Sequence, residues 1–144
     1  MRGSTGQRTR NRFMQTIQDY IQQTNSDIHI GLHSAGNLRT SSGKTGIQIK
    51  LWIDKENSIF LGATFEKLEA KRILMELLQK KGEYIRAETG HKFEVHQGKG
   101  DPGYGWIFSE IIYDTRKPLE HHVELFSSQY VTLIRLLRAL IQDF

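Results

Sequence analysis

The chain has no cysteine, and only two of its 144 residues are proline. Without cysteine there is no disulfide, no thiolate metal ligand and no cysteine nucleophile. That composition suits a reducing cytoplasm, where the protein is expected. No apolar run approaches the roughly 18 residues of a membrane span, and no secretory signal opens the chain, so no membrane partner is expected. An excess of either charge is also missing from most of the sequence. Four of the twenty basic residues (Arg2, Arg8, Arg10 and Arg12) precede every acidic one, and from Phe13 onward sixteen basic side chains meet sixteen acidic ones. The net charge of +4 therefore belongs to the leader and not to the body.

What is present reads as a mixture of helices and strands. The stretch Phe65 to Glu94 is a long mixed-charge helix, with Leu68, Ala70, Ile73, Leu74, Leu77, Leu78, Tyr84 and Ile85 at helical spacing. Gly90 closes it, and His91 to His96 then alternates like a strand. Residues 1–11 are expected to be a flexible basic arm or a linker or tag remnant, since Met1-Arg2-Gly3-Ser4 resembles the start of an expression-vector leader. Residues 12–144 are expected to form a single α+β domain, long enough to bury a core. A first helix runs from about Arg12 to Gln23, with Phe13, Ile17, Tyr20 and Ile21 on one face. Ile28 to His33 alternates as a short strand, Ser34 to Gly46 reads as a loop, and Ile47 to Asp54 is the clearest strand. The two strands are expected to pair as a hairpin.

Ile59-Phe60-Leu61 takes no clear assignment. Gly98 to Gly103 is a turn, Trp106 to Tyr113 the returning strand of a second hairpin, and Thr115 to Pro118 its close. From Leu119 a closing helix carries Val123, Phe126, Tyr130, Leu133, Leu137, Leu140 and Phe144 at spacings of three and four. Phe126, Tyr130, Leu133 and Leu137 are expected core residues. Ile134, Ile141 and Phe144 are the edge through which a homodimer would form. The element order α-β-β-α-β-β-α predicts an α+β fold, two β-hairpins forming an antiparallel sheet packed by helices.

Few residues invite catalysis. Gly43-Lys44-Thr45 ends like a phosphate-binding P-loop, but Leu38 stands where the earlier glycine belongs, and a strand follows where a helix should. Asp54 with Glu69-Ala70-Lys71 imitates the acid and acid-x-lysine spacing of metal-dependent nucleases, although on a charged helix face this triplet arises readily by chance. Glu94 and His96 share a strand face that Glu110 can approach, a zinc-type donor set whose bland meaning is a polar sheet surface. His29 and His33 stand about 13 Å apart at strand rise, too far for one metal, and His121-His122 reads as an interfacial pair. No catalytic residue, metal or cofactor is therefore assigned. The basic and aromatic set Arg8, Arg10, Arg12, Arg39, Lys44, Lys92, Lys99, Tyr104 and Trp106 is the most functional-looking group, suited to tracking phosphates and stacking bases.

Several segments carry a family likeness. They are Arg12-Phe13 opening the first helix, Ile49-Lys50-Leu51-Trp52-Ile53-Asp54, Arg72-Ile73-Leu74-Met75-Glu76-Leu77-Leu78, the run Ile85 to Gly90 into Phe93-Glu94-Val95, and the aromatic-rich closing helix. Together, over about residues 12–144, they resemble a bacterial domain of unknown function found frequently at the C-terminus of proteins that include endonucleases. The resemblance implies association with restriction or defence nucleases and supplies no active-site residues. The resulting expectation is a non-catalytic DNA-engaging accessory module of a nuclease or defence system, with DNA and a parent or partner nuclease as partners. A protein-interaction or dimerisation module and a metal-dependent nuclease are the alternatives.

Overall fold

A computed structural model describes residues 2–33 and 36–144. Helix α1 spans Arg2–Thr24, followed by β1 Gly31–His33, β2 Asn37–Ser41, β3 Ile47–Ile53 and β4 Ile59–Phe65. Helix α2 is Leu68–Thr89, then come β5 Glu94–Gln97 and β6 Gly105–Ile111. A short 3₁₀ turn at Leu119–His122 leads into α3, Val123–Ile141. The fold is α+β: three helices and one six-stranded antiparallel sheet in the order β1-β2-β3-β4-β6-β5. The sheet thus holds more than the two hairpins that the sequence predicts. Among the described residues, no helix is long and apolar enough to cross a membrane.

The differences have local causes. Asn37-Leu38-Arg39-Thr40-Ser41 has one apolar residue and reads as loop, yet it forms β2, burying Leu38 and Thr40 between more exposed neighbours. Strand β1 therefore pairs with β2, Leu32 opposite Leu38, and not with β3. Ser34, the expected start of that loop, lies outside the described residues. Ile59 to Phe65 forms β4 through a nearly continuous buried run, so α2 begins at Leu68 and not Phe65. Gly90 closes α2 at φ 76°, its N–H donating to the carbonyl of Arg86. Helix α1 starts at Arg2, ten residues before the expected Arg12, because a segment without apolar residues offers no periodicity to read. Strand β5 begins at Glu94; His91 instead sits buried with its Nδ1 2.7 Å from the hydroxyl of Ser109.

The chain forms two compact units. The first comprises Met1–Thr40, Lys50–Leu61 and Glu110–Val131. Its core contains Phe13, Met14, Ile17 and Ile21 of α1 with Phe126 and Tyr130 of α3, and the rings of Phe13 and Phe126 meet edge-on at 6.0 Å. His122 is buried beside Tyr113 and Phe126 and donates from Nε2 to the carbonyl of Asp114. The second unit comprises Ser41–Ile49, Gly62–Ser109 and Thr132–Phe144. It buries Ala70, Ile73, Leu74, Leu77 and Ile85 of α2 with Leu133, Ile134, Leu137 and Ile141 of α3. The expected core positions Phe126, Tyr130, Leu133 and Leu137 are buried as predicted. Ile134 and Ile141 are buried too, so they form no exposed dimer edge; the apolar stripe of α3 is wider than a coiled-coil seam.

Candidate nucleic-acid interface

In the first unit the site is built on strand alternation. In β3, Leu51 and Ile53 are buried, while Trp52 between them is half-buried on the opposite face. The backbone N–H of Ile53 donates to the carbonyl of Gly36, which makes 36 and 53 an opposed pair of the β2–β3 ladder. Counting inward from that pair, Asn37 faces Trp52 and Arg39 faces Lys50, both at non-hydrogen-bonded positions where Cα atoms approach to about 4.5 Å. Strand β1 extends the rows, with His33 opposite Asn37 and Gly31 opposite Arg39. On the other side, Trp52 stacks on Phe60 of β4, ring centroids 5.6 Å apart and planes 22° apart. One row of this face is therefore His33, Asn37, Trp52 and Phe60, and the next holds Arg39 and Lys50.

The turn that aligns Trp52 with Phe60 is closed by Asp54. Its Oδ1 accepts from the backbone N–H groups of Glu56 and Ser58, both at 2.9 Å, and Asn57 takes the left-handed conformation at φ 62°. A tight hairpin loop needs such a residue, and asparagine tolerates it. The Tyr113 hydroxyl donates to the carbonyl of Asn57 at 2.6 Å, and burial, then the charges of Asp54 and Glu110, push its pKa up. The arrangement leaves two polar atoms of the face buried without a hydrogen-bond partner, Asn37 Oδ1 and Arg39 Nε. Lys50, on the same face as Arg39, is only 8% exposed.

The second unit carries an aromatic hairpin. His96 and Trp106 are opposed in the β5–β6 register and stack with centroids 4.3 Å apart. Tyr104 adds an edge-on ring at 6.1 Å from Trp106. The connecting turn is tied by the amide of Gln97, whose Nε2 donates to the carbonyls of Asp101, Pro102 and Tyr104. Asp101 Oδ1 accepts from Gly103 N–H, and Gly98 N–H donates to the Tyr104 carbonyl. A Cβ at Gly98 would stand 2.5 Å from the Tyr104 ring, so only glycine admits this packing.

The nine residues singled out from the sequence divide between the units. Arg8 and Arg12 lie exposed on α1, four apart and so on one stripe, whereas Arg10 is half-buried on another face. Arg39 belongs with them in the first unit. Lys44, Lys92, Lys99, Tyr104 and Trp106 belong to the second. Lys44 follows Gly43 in the β2–β3 turn and donates to the carbonyl of Phe144, and Lys92 borders a groove of about 230 Å³ along α2. Lys99 is exposed in the β5–β6 turn. Lys50, Trp52, Phe60 and Asn37 were not singled out from the sequence, and His96 was placed on a polar sheet face without its Trp106 partner. The alternation in β3 already put Lys50 and Trp52 on the polar face; Asn37 and Phe60 lay in segments not recognised as strands.

The competing chemistries have structural occupations. Glu69 is engaged by Arg72, whose guanidinium hydrogen-bonds it at 2.7 Å and holds its pKa below the usual carboxylate value, and Asp54 holds its turn. Among the described residues no three His, Asp or Glu side chains gather to hold a metal ion. The Gly43-Lys44-Thr45 segment does open a strand, β3. The chain matches no protein-family model, no curated protein and no solved structure in comparison.

Proposed function

We propose that this chain is a non-catalytic module that engages nucleic acid, and DNA in particular as the accessory part of a nuclease or defence complex. The observation that carries the reading is the opposition of Arg39 and Lys50 beside the Trp52–Phe60 stack. Two basic side chains opposed on one sheet face concentrate positive charge where an anionic ligand can lie across them. Phosphates supply such an anion, and flat apolar rings next to a cationic row are the usual partners of bases. The unpartnered Arg39 Nε and Asn37 Oδ1 add one donor and one acceptor on the same face. Arg8 and Arg12 bring further positive charge to the same unit.

Because the body is neutral, attraction comes from few phosphate contacts, so binding is weak and steeply salt-dependent. Fluorescence anisotropy of a labelled oligonucleotide, titrated at several salt concentrations, is the test. The expected result is a complex at low salt that dissociates as salt rises, further weakened when Arg8, Arg10 and Arg12 are replaced together by alanine. No complex at the lowest salt removes the reading.

A further inference from the structure

We propose that the β5–β6 hairpin is a stacking site for an unpaired nucleobase, which narrows the ligand to single-stranded nucleic acid. This inference rests on the nucleic-acid reading above but stands on separate residues in the second unit. His96, Trp106 and Tyr104 form a short series of rings, and Tyr104 at its end is 40% exposed. An exposed ring held edge-on to a stacked pair leaves room for one more flat group. The hairpin is also preorganised: three hydrogen bonds from Gln97 fix the turn that carries Lys99 and positions Tyr104. Ordering is then largely complete before ligand arrives, which lowers the entropic cost of binding.

An unpaired base presents an open ring face, whereas in a duplex that face is covered by the neighbouring base pairs. Rings alone would stack on any base, so the site is tolerant of sequence.

The test uses the Trp52→Phe variant, in which Trp106 is the single tryptophan, with oligothymidylate of roughly 12 nucleotides, its uridine counterpart and a hairpin duplex of equal length as probes. The expected result is quenching of Trp106 fluorescence by the single strands and none by the duplex. Tyr104→Ala and His96→Ala, both at exposed positions, should each weaken single-strand binding about tenfold. Quenching by the thymidylate strand and the uridine strand alike supports recognition of the base and not the sugar. Equal binding of single strand and duplex with unchanged fluorescence overturns this inference and leaves the nucleic-acid reading standing. Binding of none of the probes by this variant and by the unaltered chain alike overturns both.

Discussion

Arg39 on β2 and Lys50 on β3 face each other directly across a non-hydrogen-bonded position of the ladder, two cations sharing one surface of the sheet. The Arg39→Gln variant separates a binding role from a structural one. In urea denaturation the free protein is expected to change by no more than about 0.5 kcal/mol. Oligonucleotide binding should weaken, and the slope of log affinity against log salt should fall by about one. A loss of stability with unchanged binding would assign Arg39 to the scaffold.

Leu137 of α3 is fully enclosed, so Leu137→Ala should cost about 2–5 kcal/mol through the cavity it leaves. Chemical denaturation measures this, and light scattering on the same sample should show no change of mass. Unchanged stability with a loss of mass would make α3 an assembly helix and contradict its burial.

Gly62 of β4 has no room for a side chain. A Cβ there would fall 1.9 Å from the carbonyl oxygen of Ile107, a backbone atom that cannot swing aside. Gly62→Ala is expected to destabilise by about 3 kcal/mol, the upper end for overpacking. A control at Gly82, where a Cβ meets nothing, should instead gain up to about 1 kcal/mol from better helix propensity. Thermal melts of the two variants should therefore move in opposite directions.

The stability profile should bend at both ends of the pH range. Glu69 and Glu76 on α2 are held low, chiefly by hydrogen bonds from Arg72 and from Lys80, and Asp114 by that of Arg116. Carboxylates lowered on folding contribute above their ordinary values, 4.5 for glutamate, and lose that contribution as pH falls through the lowered ones. Tyr113 works in the other sense: raised by burial, its contribution is full below 10.0 and is lost as pH rises through its folded value. Melting temperatures across pH should show the acid limb flattened in Arg72→Ala and the alkaline limb flattened in Tyr113→Phe. Added salt should shrink the acid effect, because those pairs lie on the surface.

The sequence by itself determined the α+β class, α2 with its glycine stop, the β5–β6 hairpin and the core positions of α3. Each is a local matter of period, propensity or turn chemistry, and each repeats over enough residues to be read. Only the tertiary structure decided β2, β4 and the order of the strands. Asn37 to Ser41 becomes a strand through pairing between β1 and β3, and its single leucine leaves no alternation to detect. Of the expected dimer edge Ile134, Ile141 and Phe144, the two isoleucines are buried for a related reason, since a stripe's width does not say how much of it the fold covers. The candidate site divides in the same way: arginines, lysines and aromatic residues were visible one by one. Register alone made Arg39 meet Lys50 and Asn37 meet Trp52, because a slip of one residue turns every side chain of a strand to the other face.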